Sequence, residues 1–237
     1  MPLFNLPISA LDNCEYRKYS QSSQDGILLE IFNSIGMTDR FCVEFGGRDG
    51  YDLSNTAYLE EAWGFKRLLL DGNGTGPVHK EFLTKDNIVS IFQKYRVPED
   101  EQEFDYLSID VDGNDFHLWR ALWNGYHPRV VTIEFNSKWR YDECKVIAYN
   151  ESHVWQGDDY YGASMAAMKK LGDFKGYTLV YRLECLDLFF VRNDLLSPSY
   201  RPPTAIELLP QPIICHRPSS LADPSTSSGQ VQDWIDF

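Results

Sequence analysis

The chain has 237 residues, with 22 Lys+Arg against 35 Asp+Glu and a formal net charge of −13. That length suits one large domain with a full hydrophobic core. The acidic balance argues against a nucleic-acid surface, which needs clustered Lys and Arg, and against an electrostatic membrane anchor.

Five cysteines, odd in number and without a Cys-x-x-Cys pair, read as reduced thiols of a cytoplasmic compartment. Cys42 and Cys185 fall in apolar runs and are expected as small core residues. Met1 to Leu11 has neither a basic start nor a long apolar run, and no stretch predicts a signal peptide or a transmembrane segment. Composition divides the chain into a lead segment at 1–18, a domain at 19–195 and a Pro/Ser-rich extension at 196–237. Within the extension, Pro218 to Gly229 is expected to be flexible.

In chain order, Ile27, Leu28, Ile31, Phe32 and Ile35 have helical spacing, with Ser22 or Ser23 as cap and Gly36 as stop. Phe41 to Phe45 reads as a strand entering a Gly-rich turn. A helix from about Ser54 to Ala62 follows, closed by Gly64. Arg67 to Asp71 is a buried-type strand. Val78 to Leu83 is the weakest strand, because it is polar. Ile88, Ile91, Phe92 and Tyr95 predict a helix capped near Thr84. Phe104 to Ile109 is a strand, Phe116 to Trp123 a helix, and Val130 to Ile133 a strand ending at Glu134. This alternation predicts a three-layer α/β domain around a mostly parallel sheet. After a helix near Ser164 to Leu171, Tyr177 to Leu183 and Leu186 to Val191 are separated by only two residues. So short a link permits only an antiparallel pair. A Rossmann-like, mostly parallel sheet closed by such a C-terminal hairpin is the layout of class I S-adenosylmethionine-dependent methyltransferases.

Three features carry chemistry. The first is Glu44-Phe45-Gly46-Gly47-Arg48-Asp49-Gly50, at a strand-to-helix turn. Glycines there let backbone approach a ligand, and Glu44 is placed to receive an amino group. Asp71, 21 residues past Gly50, ends the next strand where an acid can hold ribose hydroxyls. An ordinary Gly turn is the alternative. The second is Asp110-Val111-Asp112-Gly113-Asn114-Asp115, with Glu134 and Asn136 ending the neighbouring strand. Two carboxylates and an amide oxygen suit a divalent ion such as Mg²⁺ that acidifies a substrate hydroxyl, with the spare carboxylate as general base. A solvated acidic turn with Asp115 as helix N-cap fits equally. The third is Ser137 to Tyr161, 25 residues without periodicity that carry Trp139, Tyr149, His153, Trp155, Tyr160 and Tyr161. It reads as an aromatic lid suited to a sugar or another ring-shaped acceptor, or as a loop packed on the surface. His117 lies just inside the helix after the acidic cluster, within reach of the rim. The other histidines lack ligand spacing, which argues against a zinc site.

The set Tyr19-Ser20-Gln21-Ser22-Ser23-Gln24-Asp25-Gly26, Val43 to Gly50, Leu107 to Asp115, Ile133-Glu134-Phe135-Asn136, Tyr161-Gly162-Ala163-Ser164 and Phe189 to Arg192 resembles the FkbM-type family of class I methyltransferases over residues 16 to 195. The resemblance implies methyl transfer from S-adenosylmethionine to an oxygen of a sugar, glycan or other small molecule. It implies Glu44, Gly46, Gly47 and Gly50 at the methionine part, Asp71 at the ribose, Asp110 beside the cofactor, and Gln21 and Gln24 closing over the site. Similarity of the acidic cluster to the Mg²⁺ site of macrocin-type O-methyltransferases further implies Asp110, Glu134 and Asn136 as ligands and Asp112 as base. Trp155, Tyr160, Tyr161 and His117 would meet the acceptor. Arg48 departs from the family's middle glycine and either pairs with the cofactor carboxylate or blocks its pocket. The segment from Asp71 to Thr84 is also short for a crossover helix. A nicotinamide-dependent oxidoreductase and a non-catalytic binding module on the same scaffold are the alternatives.

Overall fold

The short strands alternate side chains between two apolar faces, so helices must cover both sides of the sheet. The computed structural model describes residues 2–14, 16–98, 104–122, 125–208 and 234–237. In chain order its elements are α1 (Ile8–Leu11), α2 (Gln24–Ile35), β1 (Phe41–Phe45), α3 (Ala57–Trp63), β2 (Lys66–Asp71), β3 (His79–Lys80), α4 (Ile88–Lys94), β4 (Tyr106–Ile109), α5 (Asp115–Ala121) and β5 (Val130–Glu134). Then come β6 (Lys145–Ile147), α6 (Met165–Lys175), β7 (Tyr177–Leu183), β8 (Asp187–Arg192), α7 (Ala205–Leu208) and β9 (Trp234–Asp236).

Seven strands form one sheet in the order β3-β2-β1-β4-β5-β8-β7. Pairs from β3 through β5 are parallel, while β8 runs antiparallel to both β5 and β7. This is the mostly parallel sheet expected from the sequence, including the closing antiparallel hairpin. The polar third strand shrinks to His79–Lys80. The predicted helix end at Trp123, the Pro218 to Gly229 run, Cys215 and His216 lie outside the described residues.

Val43, Phe45, Leu107, Ile109, Val131 and Ile133 point to one core, with Ile88 and Phe92 of α4, Leu118 of α5 and Met168 of α6. Cys42, Tyr106, Val130, Phe189 and Val191 point to the other, with Ile27, Ile31 and Phe32 of α2 and Leu59 of α3. Phe4 and Tyr200, from either side of the central region, pack edge to face in that second core. Among the described residues, no helix is long and apolar enough to cross a membrane.

Three expectations are corrected. The 137–161 stretch contains a strand, β6, which pairs antiparallel with β9 from the end of the chain. Asn114, not Asp115, occupies the N-cap of α5, because both Asp115 oxygens are drawn back to Val111 N–H and Gly113 N–H, each at 2.8 Å. Finally, the cysteines are not all free thiols. Cys14, Cys42 and Cys144 are free, but Cys185 sits half-buried in the β7–β8 turn and is disulfide-bonded.

Candidate functional site

The carboxyl ends of β1, β4 and β5 meet the start of antiparallel β8, so their polar residues share one rim. A small cleft opens there, lined by Gln21, Gln24, Leu53, Asn55, Asp110, Glu134, Leu186 and Asp187. Asp110 follows β4, Glu134 ends β5, and Asp187 begins β8 directly opposite Glu134 in the antiparallel register. Oxygens of Asp110, Asp115 and Glu134 lie within 4.8 Å of one another. Burial and mutual repulsion push the carboxyls of Asp110 and Glu134 well above the ordinary range. Burial raises Asp115 and Asp187 to about 6 each.

The N-terminus of α2 overhangs this cleft. Gln24, 2% exposed, accepts Ser22 N–H on its Oε1 at 2.7 Å. That fixes the amide orientation and aims Nε2 at Asp187 Oδ2, also at 2.7 Å. Asp25 holds the preceding segment by accepting the N–H groups of Lys18, Tyr19 and Ser20 on one oxygen. On the other side, Asn55 donates to Ser108 Oγ at 3.1 Å, while its buried Oδ1 has no hydrogen-bond partner among the described residues. Leu53 holds a left-handed backbone (φ 61) beside the cleft, a conformation that costs a non-glycine residue about 1 kcal/mol or more.

The glycine-rich turn serves the backbone first. Gly46 has φ 77, and a Cβ there would lie 1.9 Å from the Asp110 carbonyl oxygen, so only glycine lets the ends of β1 and β4 approach. Gly50 has φ 89, and Gly47 packs near Leu69 and Val78. Arg48 is itself left-handed at φ 48. Its N–H donates to Asp71 Oδ2 at 3.0 Å, and its guanidinium extends into solvent 3.5 Å from Asp52. Asp71 also accepts Asn73 N–H at 2.6 Å, so it orders the turn beside the rim. Glu44 is turned inward. It accepts Ser54 Oγ–H at 2.7 Å, Asn55 N–H at 2.6 Å and Thr56 Oγ1–H at 2.5 Å, with Arg67 at 3.9 Å. It thereby shapes the Leu53–Asn55 wall.

Asn136 lies on the same rim, but its amide is committed to the lid. Nδ2 donates to the carbonyls of Asp159 (2.9 Å) and Tyr161 (3.0 Å), and Oδ1 accepts Lys138 N–H at 3.0 Å. Asp112 stands exposed on the acidic turn with φ 55. His153 of the lid packs on Gly113, where a Cβ would come within 2.2 Å of its Cδ2. His117 is buried under β6 with Nε2 on the Ile147 carbonyl at 2.9 Å. Tyr160 OH accepts Ala148 N–H, and Trp155 Nε1 donates to the Asp158 carbonyl. Tyr161 is buried with its ring 6.2 Å from that of Trp155. Trp155, Tyr160 and Tyr161 belong to the lid and His117 to α5, and none of the four is among the residues that line the cleft.

The structure therefore brings Gln24, Asp110 and Glu134 into one cleft and adds Asn55 and Asp187, which sequence reasoning missed. Asp187 had a signal: a lone acid inside the apolar run Leu186-Asp187-Leu188-Phe189-Phe190. Asn55 had none.

No family model matches the chain, and no curated protein matches it. Among solved structures it is similar to the CurJ carbon methyltransferase, at 10% identity and a TM-score of 0.38, covering 75% of this chain and 56% of that one. It is also similar to the CMeT domain of the citrinin polyketide synthase, at 10% identity and a TM-score of 0.38, covering 73% and 54%. The chain thus spans little more than half the length of either structure.

Proposed function

We propose that the chain is an S-adenosylmethionine-dependent methyltransferase that acts on an oxygen, in the first instance a hydroxyl of a sugar or glycan. The observation that carries this reading is the acidic cleft at the carboxyl rim of a sheet closed by an antiparallel hairpin. When bound, S-adenosylmethionine supplies an electrophilic methyl on a positively charged sulfur, which becomes a neutral thioether after transfer. The donor set fits such a ligand: carboxylates from three strands and the orphaned Asn55 oxygen all accept, and none of the lining residues is a cation. The Gly46–Gly50 turn and Asp71 would hold the nucleoside side, and Asp110, Glu134 and Asp187 the charged sulfur side.

The chain's own task is alignment and proton removal. Asp112, exposed on the acidic turn that follows Asp110, would take the acceptor proton. The lid aromatics Trp155 and Tyr160 would frame a ring-shaped acceptor. The expected Mg²⁺ set is a poor fit. Of Asp110, Glu134 and Asn136, the Asn136 oxygen already accepts Lys138 N–H, whereas a compact divalent ion needs about six close oxygens. Calorimetric titration tests the reading: binding of S-adenosylmethionine supports it, and absence of binding by both the donor and S-adenosylhomocysteine overturns it. Asp112→Asn should then lower kcat by about 10²- to 10⁴-fold with the donor Kd unchanged.

A further inference from the structure

We infer that the cleft discriminates by charge between the methyl donor and its spent product, and that Asp187 is a specificity-determining residue for this selection. The inference rests on the S-adenosylmethionine reading above and assigns a role to a residue that lies outside every motif in the sequence.

Three carboxylates from three adjacent strands face one cleft. Asp110 extends β4, Glu134 ends β5, and Asp187 begins β8 as the register partner of Glu134. All three lie on the face of the sheet covered by α2, because their neighbours Ile109, Ile133 and Leu188 point to the opposite core. Asp187 is 4% exposed, so placing a charge there is costly unless a ligand offsets it. It is also aimed. The Gln24 amide, locked by Ser22 N–H, engages one Asp187 oxygen. The other oxygen takes no hydrogen bond from the described residues. A second, independent feature points to an absent donor or cation: Asn55, 7% exposed on the facing wall, leaves its Oδ1 unpartnered. An unmet buried acceptor is unfavourable in the empty protein and becomes favourable when a positive ligand arrives.

The chemistry of the cleft separates the two ligands. A compact, strongly hydrated divalent ion demands close oxygens that Asp115 and Asn136 have already committed elsewhere. A large sulfonium with spread charge needs only a negative, partly dehydrated surround. The spent product has the same adenosyl and amino-acid parts but no charge on sulfur. It therefore keeps the contacts of the glycine-rich turn and loses the attraction of the cleft. Transfer itself would weaken the hold on the product and favour exchange for fresh donor.

The test is equilibrium calorimetry in EDTA with two probes, S-adenosylmethionine and S-adenosylhomocysteine, on the full chain. The wild-type protein should bind the charged donor at least about tenfold more tightly than the neutral product. Asp187→Asn keeps the acceptor for Gln24 and should reduce that ratio by about tenfold, with the product Kd changed less than about threefold. Glu134→Gln, a second neutralisation on the facing strand, should lower the ratio in the same direction, and thermal melts report whether each variant is folded. Equal wild-type affinity for the two probes, or a parallel loss of both in the two variants, overturns the charge-selection role while leaving the methyltransferase reading intact. Failure of both probes to bind the wild-type protein overturns both.

Discussion

The side-chain amide of Gln24 donates to the carboxylate of Asp187 at 2.7 Å, joining the first residue of α2 to the first residue of β8. The two are 163 positions apart in the chain, and their contact closes one wall of the acidic cleft. It orients a buried carboxylate without neutralising it, which has a consequence for stability.

Asp187 and Asp115 both titrate near 6 in the fold because burial disfavours their charged forms. A carboxyl whose folded pKa lies above its unfolded value stabilises the fold most below about 4 and loses that contribution as pH rises through 6. In the ligand-free protein, this cleft should therefore raise the melting temperature at pH 5 relative to pH 7.5. Asp187→Asn should raise neutral-pH stability by about 2–3 kcal/mol and flatten that pH dependence. Denaturant melts at the two pH values check it, and an unchanged slope would contradict it.

Lys175, at the end of α6, gives the opposite limb. Burial pushes its amine down to about 8, so the charged form is disfavoured in the fold. Stability from this group falls as pH drops from about 10.5 to 8 and is constant below. Lys175→Met should raise stability at pH 7 by about 1–3 kcal/mol and have little effect at pH 10.5. Denaturation at both pH values reads the difference.

Asn136→Ala removes two bonds to the lid carbonyls and the acceptor for Lys138 N–H. A cost of about 1–3 kcal/mol is expected, together with faster proteolysis between residues 137 and 161. The effect should be the same in EDTA and in Mg²⁺. Loss of Mg²⁺ binding as the main phenotype would return Asn136 to a ligand role.

Gly113→Ala drives a methyl into the ring of His153. It should destabilise the protein by about 1–3 kcal/mol. In the double variant with His153→Ala, most of that loss should be recovered, because the clash partner is gone. Additive losses in the double-mutant cycle would show that His153 does not clamp the acidic turn.

Much of the architecture was legible because apolar runs such as Leu68-Leu69-Leu70 and Val130-Val131 suit only strands buried on both faces. The two-residue link read at Glu184-Cys185 left the hairpin no alternative to antiparallel pairing. Strand β6 was hidden, since Lys145-Val146-Ile147 is too short to show a period and its partner comes from the last residues of the chain. In the site, Asp110 and Glu134 were visible as acids at strand ends. The role of Glu44 was not, because the Ser54–Thr56 turn and Arg67 that claim its carboxylate are brought to it only by the fold. Asn136 shows the same ambiguity: an amide at a strand end serves as ligand or anchor, and only its neighbours decide. Asp187 escaped because it opens a strand instead of ending one.

Equilibrium dialysis of the full chain against labelled S-adenosylmethionine in EDTA tests the central claim most directly. Saturable binding of one molecule per chain, displaced by excess unlabelled donor, is the predicted result. No saturable binding by a protein that melts cooperatively would contradict it.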